Sequence, residues 1–218
     1  MAQVRLVYYM DVLSSWCLIA EEALSRVRRD YGKKVDVQWR IAALRDPLNY
    51  TPEQLAWYYR RTESVTGVRL NPAWLESTAD GTGVANLAAE AARTLGCEDD
   101  RVRLALARGA MLDGRRTCDR VVAVEVAAAA GSLDRAVLER EMDDPKTTAR
   151  IREACVEFDA YHVGVRPTFV LTNGIGDTSV LSGCWRYDVL AASIGRLLDD
   201  ESGYENFMSA SPPPTGAH

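Results

Sequence analysis

The sequence predicts an α/β fold in which a few strands are split by a long all-helical insertion. Three observations lead there. The first 41 residues read strand, helix, strand with short joints; no convincing strand occurs between about residues 51 and 162; and from Thr168 two short β-rich runs flank a glycine-containing turn. The expected organisation is one discontinuous α/β domain, residues 1–46 plus 163–208, a helical insertion domain over 47–162 and a disordered tail over 209–218.

The elements follow in order. Val4 to Met10 mixes β-branched, aromatic and aliphatic residues as a largely buried strand does. Cys17, Ala20, Leu24, Val27 and Tyr31 then recur at helical spacing, and Gly32, with Lys33 and Lys34 beside it, ends that helix. From Val35 to Ile41 apolar residues alternate with Asp36, Gln38 and Arg40, one face buried and one polar, which suits a parallel βαβ unit. Asp46-Pro47-Leu48-Asn49-Tyr50 breaks the pattern, and Thr51-Pro52-Glu53-Gln54 starts a helix with a cap and a proline at its first position. Helical segments are expected near 52–65, 72–79, 85–95, 99–113, 118–130, 133–142 and 146–161, with Asp80-Gly81-Thr82-Gly83 as a mobile joint. Gly81-Thr82-Gly83 is a turn and not a phosphate loop, since no strand precedes it and the further glycine or lysine is absent. Thr168–Leu171 and Ser179–Leu181 form a hairpin, and a last helix runs from about Tyr187 to Leu198.

Composition bounds the partners. With 218 residues and 47% hydrophobic content, the chain can fill a sizeable core. Its longest apolar runs fall far short of the ~20 residues of a membrane span. Met1-Ala2-Gln3-Val4-Arg5 leads into the first strand without a visible signal peptide, so a cytoplasmic location is expected. Five cysteines with no Cys-x-x-Cys argue against a disulfide framework and a structural zinc site. A net charge of -5 with interspersed arginines gives no basic stripe for nucleic acid. The expected partner is a small-molecule substrate, with no nucleic acid, no membrane and no metal; a homodimer is compatible with the sequence.

The first strand-to-helix corner, Asp11 to Cys17, is where chemistry would sit. A group there meets the unpaired backbone N–H groups and positive dipole end of a helix, which favour an anion such as a thiolate by up to ~2 kcal/mol where partly buried.

Ser14-Ser15-Trp16-Cys17 resembles the Cys-Pro-Trp-Cys motif, and Val165-Arg166-Pro167-Thr168-Phe169 the Val-Pro-Thr-Phe segment with its cis-proline, of the DsbA-like branch of the thioredoxin superfamily. Strand, corner, helix, strand, helical insertion, hairpin and last helix extend the resemblance over nearly the whole chain. It implies a thioredoxin-like fold with a large all-helical insertion domain. Arg115 to Leu133 is similar to the insertion of FrnE-like members, while kappa-class glutathione transferases and 2-hydroxychromene-2-carboxylate isomerases carry serine at the first motif position, where it hydrogen-bonds a glutathione sulfur; Ser14 matches that serine. The cofactor implied is glutathione or another low-molecular-weight thiol. The chain departs in having Ser15 in place of the usual proline, Gly183-Cys184-Trp185-Arg186 in place of Gly-x-Asp-Arg, and no lysine between Lys34 and Lys146.

Each candidate has two readings. Ser14 is a helix cap, or its hydroxyl donates to a thiolate and lowers that thiol's pKa. Cys17 is a small buried hydrophobe, or a nucleophile. Arg166 is a solvated charge, or steadies a carboxylate or enolate; a cis bond at Pro167 would leave Arg166's backbone N–H and C=O free for a peptide-like ligand. Trp16, Trp185 and Arg186 pack, or wall a pocket beside Ser15. His162 is a hydrogen-bonded structural histidine, or a general base. Asp11 hydrogen-bonds Ser14, or simply ends the strand. The expected function is a thiol-assisted isomerase or transferase acting on a small electrophilic organic substrate, with Ser14, Cys17 and Arg166 as its catalytic candidates. The alternatives are a DsbA-family thiol-disulfide oxidoreductase using Cys17, and a non-catalytic small-molecule binding protein.

Overall fold

β1 (Val4–Met10) is the strand on which the rest is built, because it is apolar on both faces and paired on both edges. The computed structural model describes residues 3–44, 51–75 and 82–211. Parallel to β1 runs β2 (Val35–Ile41), in register from Val4 with Val35 to Met10 with Ile41, joined by the right length of chain for one crossover helix, α1 (Ser15–Tyr31). On the other edge β3 (Thr168–Asn173) is antiparallel, pairing Tyr9 with Thr168, and β4 (Thr178–Ser182) completes a sheet of order β2-β1-β3-β4.

The period of two in β1 divides the core. Leu6, Tyr8 and Met10 face α1 and the last helix, α8 (Tyr187–Ala210), where Tyr8 stacks on Phe169 with ring centroids 4.8 Å apart. Val7 and Tyr9 face a smaller cluster with Ala42, Val170 and Phe158. Phe158 comes from α7 (Pro145–Asp159), so helices cover both faces of the sheet. α1 turns its buried stripe, Cys17, Ala20, Leu24 and Val27, to the sheet, and ends at Gly32, whose φ of +51 lets its N–H reach the Arg28 carbonyl.

Between β2 and β3 lie α2 (Pro52–Thr66), α3 (Gly83–Thr94), α4 (Arg101–Met111), α5 (Arg120–Gly131), α6 (Arg135–Asp143) and α7. Thr51 and Gln54 start α2 with a capping box, and Asp119, Asp134 and Asp144 cap α5, α6 and α7. Buried alanines, among them Ala88, Ala92, Ala123 and Ala127, let α3 and α5 pack closely. A charged network clamps this helical stretch to α1. Arg103 of α4, buried, forks onto both carboxylate oxygens of Glu21 and onto Asp100 at 2.6 Å, and Asp100 also pairs with Arg28 at 2.5 Å. Burial works against the Arg103 charge, yet the Glu21 and Asp100 carboxylates hold it firmly protonated.

Three expectations change. The helix expected over 72–79 is a single 3-10 turn at 72–75, the remainder lying outside the described residues, as do the Asp46–Tyr50 break and the first half of the joint at residues 80–83. The last helix continues twelve residues past Leu198, because no proline or cap stops it before Ser211. Ser209 and Ala210 therefore belong to α8 and not to a disordered tail; residues 212–218 lie outside the described residues.

Candidate functional site

Asp11 organises the corner from beneath. Its buried carboxylate accepts from the N–H groups of Leu13 and Leu44 (both 2.9 Å), from Thr82 Oγ1 (3.0 Å) and from Asn86 Nδ2 (2.7 Å), while Asn86 Oδ1 accepts from the N–H of Val12 (3.0 Å). Burial raises the Asp11 carboxyl above its ordinary value, and these four donors oppose that rise. Its backbone carbonyl takes the Ser14 N–H at 3.1 Å, so the chain turns from strand into helix within four residues.

Ser14 is the N-cap of α1, its Oγ accepting from the Cys17 N–H at 3.4 Å, and Ser15 is the first helical residue. The cap reading thus holds. The same hydroxyl also faces the Cys17 sulfur, to which it is a hydrogen-bond donor. Cys17, 1% exposed, lies one turn in. Burial pushes its thiol up to about 12, outweighing the downward pull of the Ser14 hydroxyl and the Asp11 backbone. A buried thiol held protonated at neutral pH is not poised as an attacking thiolate. Stability should respond in alkali. The folded state keeps a proton that the unfolded chain loses above ~8.5, so stability should fall from that pH up to about 12. Melting temperatures of wild type and Cys17→Ala against pH check this, the variant showing the shallower fall; parallel curves would refute it.

The Tyr9–Thr168 register brings Pro167 alongside Met10, next to the chain leaving for Ser14, and the Arg166–Pro167 peptide is cis. Arg166 does not send its guanidinium into the corner. Nε donates to the Ala42 carbonyl (2.6 Å) and one Nη to that of Ala43 (3.0 Å), and the group lies 4.2 Å over Phe158, on the α7 side of the sheet. Its donors are committed to backbone carbonyls that would lose their partner if it swung away. Arg166's backbone N–H and C=O, by contrast, have no backbone partner among the described residues.

Trp16 and Trp185 do meet, their ring centroids 6.0 Å apart. Arg186 forms a two-point ion pair with Asp188 at 3.0 and 2.6 Å, and with Trp185, Ile19, Thr66 and Val68 lines a cavity of about 530 Å³ between α1, the end of α2 and the start of α8. His162 is elsewhere: exposed, at φ +54, in the joint after α7, between Tyr161 and Val163 of the Phe158 cluster. Sequence reasoning missed Thr82 and Asn86, and also Arg61 of α2, whose guanidinium stands 5.6 Å over the Trp16 ring. Asn86 had a signal, as an amide inside the alanine stripe of α3; Arg61 had one in the helical spacing from Trp57 and Tyr58. Among the described residues no three His, Cys, Asp or Glu side chains could hold a metal ion, and no helix is long and apolar enough to cross a membrane.

A strand-to-helix corner facing a cis-proline loop, on a mixed sheet split by helices, defines a thioredoxin fold with a helical insertion. The DSBA-like thioredoxin domain family matches residues 5–195, and the chain belongs to that family. Among solved structures it is similar to the cytosolic disulfide reductase DsbM from Pseudomonas aeruginosa with GSH (TM-score 0.69, 19% identity, 89% of this chain and 99% of that one). It is also similar to 2-hydroxychromene-2-carboxylate isomerase (0.62, 17%, 92% and 98%) and to a thioredoxin-like oxidoreductase from Silicibacter pomeroyi DSS-3 (0.61, 18%, 91% and 88%). No curated protein matches the chain. These neighbours include both disulfide oxidoreductases and an isomerase on one fold.

Proposed function

We propose that the chain is a thiol-assisted isomerase or transferase that holds glutathione, or a similar low-molecular-weight thiol, with its sulfur at Ser14 and presents it to a small electrophilic organic substrate. The observation that carries the reading is the pair of positions 14 and 17: a hydroxyl at the head of α1 and, one turn below, a cysteine sealed from solvent. A serine there cannot form a disulfide but can donate a hydrogen bond.

The bound thiol would supply the nucleophilic sulfur. Ser14 O–H donates to that sulfur, favouring its charged form, and the first-turn N–H groups of α1 add a positive field. Arg166's unpaired backbone N–H and C=O match a peptide-like group as a strand edge does. Trp16 and Trp185 offer apolar walls. The P. aeruginosa neighbour solved with GSH supports the choice of thiol. The reading places the protein in a reducing cytoplasm, where all five free cysteines stay reduced. The Cys17 oxidoreductase alternative is weaker, since it needs an accessible thiolate at a buried position.

Titrating glutathione into the protein and following ultraviolet thiolate absorbance against pH tests the reading. The bound thiol should ionise below the ~8.5 of an ordinary thiol, and Ser14→Ala should raise its pKa by about one unit, the scale of one hydrogen bond to a charged group. No glutathione binding, or an unchanged pKa in Ser14→Ala, would reject it.

A further inference from the structure

Arg61 stands beside the corner in surroundings unlike those of the arginines that pair with carboxylates. Arg28, Arg29, Arg93, Arg101, Arg103, Arg115, Arg120, Arg150, Arg186 and Arg196 each pair with a carboxylate. Arg61 has no carboxylate partner among the described residues. Its guanidinium is held by aromatic faces, 5.6 Å from the Trp16 centroid, 5.8 Å from Trp57 and 6.0 Å from Tyr58. Trp57 and Tyr58 lie four and three residues before it on α2, so the helix pre-arranges two of the three faces, and Trp16 on α1 supplies the third.

Such a site orients a charge without neutralising it. Aromatic faces restrict the guanidinium and leave its N–H donors unpaired, the state in which arginine takes an oxyanion at two points. The cavity beside Trp185 extends the geometry. Trp16 touches Arg61 on one side and Trp185 on the other, and the cavity runs on past Ile19 along the end of α2 at Thr66 and Val68. Its charged lining balances in sign, Arg186 being bound to Asp188 while Glu22 and Arg26 add one carboxylate and one guanidinium.

We infer that Arg61 is a specificity-determining residue that recognises the oxyanion of an amphiphilic organic acid, a carboxylate or sulfonate, whose apolar body lies along Trp16, Trp185 and the adjoining cavity. This deepens the proposed function by naming the second substrate as an anionic one, and it rests on that reading only for the reaction, not for the binding. A neutral analogue would keep the apolar contacts and lose the charge pairing. Because Arg61 is exposed, the gain is modest, about five-fold in affinity, as for a well-oriented surface ion pair.

The test uses the full chain without any thiol, with 2-naphthoate and the neutral 2-naphthalenemethanol as probes in equilibrium dialysis at low salt. Wild type should bind the naphthoate about five-fold more tightly. Arg61→Gln should bind the two equally, Arg61→Lys should keep part of the preference, and added salt should shrink it in wild type alone. Equal binding of both probes by wild type, or a preference that survives in Arg61→Gln, would overturn the proposal. Glutathione is absent, so the outcome is independent of Ser14: a lost naphthoate preference beside intact thiol binding rejects Arg61 alone, and the reverse rejects the thiol reading alone.

Discussion

Glu21→Ala should lower the free energy of unfolding by about 3 kcal/mol, because it leaves the buried guanidinium of Arg103 with Asp100 alone. Arg103 is among the largest fully buried side chains, and its Glu21 partner lies on α1 while Asp100 stands at the start of α4. Removing one member of such a pair exposes the full cost of the other's desolvation, typically ~3–5 kcal/mol; the lower end applies to this network since one carboxylate remains. Urea denaturation measures it. Exchanging both partners for apolar residues, Glu21→Leu with Arg103→Met, should restore most of the loss, because no unpaired charge is then buried. A double variant that loses as much as the single one would show that the network stabilises through its charges, and that an unpaired buried guanidinium is not the cause of the loss.

Ser14→Cys should convert the corner from a hydrogen-bond donor into a dithiol. The new sulfur would sit at the head of α1 with the Cys17 N–H directed at it, one turn above the Cys17 thiol. Its pKa should fall well below ~8.5, for the helix N-terminus and its dipole favour the thiolate. Cys17, buried and held protonated, is the partner that the thiolate would meet. Under mild oxidant an intramolecular disulfide should form and exchange with glutathione, while any thiol-assisted isomerase or transferase activity drops with the loss of the hydroxyl. Iodoacetamide rates against pH and intact mass report both. An ordinary pKa near ~8.5 with no bridge to Cys17 would mean that the head of α1 neither stabilises a thiolate nor brings positions 14 and 17 within bonding reach.

Local features are legible from the sequence, and long-range directions are not. β1 and β2 can be read because their patterns are set by which faces are buried, and both occupy the expected residues. The corner and the residues around Pro167 can be read because each is a short motif. Arg166 shows the limit. Nothing local distinguishes a guanidinium that enters a cleft from one that crosses to Ala42 and Ala43, 124 and 123 residues earlier, and the choice depends on Phe158 being beneath it. Cys17 is ambiguous for a related reason, as the apolar stripe of α1 says that a residue faces inward but not how completely its neighbours close over it. The expected end of α8 at Leu198 falls short because the apolar periodicity weakens there, although no proline or cap stops the helix before Ser211.

Asp11 has a consequence for how the molecule comes apart. Its carboxylate partners lie 2, 33, 71 and 75 residues along the chain, on the corner itself, the segment after β2, and the approach to and first turn of α3. A buried carboxylate tolerates the loss of such donors badly, so opening any one of those segments raises the energy of the rest. Sheet, corner and helical stretch are thereby tied into one cooperative unit, and local unfolding has no way to free the Ser14 corner while leaving the helices docked. The position of one hydroxyl is thus underwritten by residues drawn from the first third of the chain and the insertion together, and the insertion acts as part of the corner's foundation, not as a detachable cover.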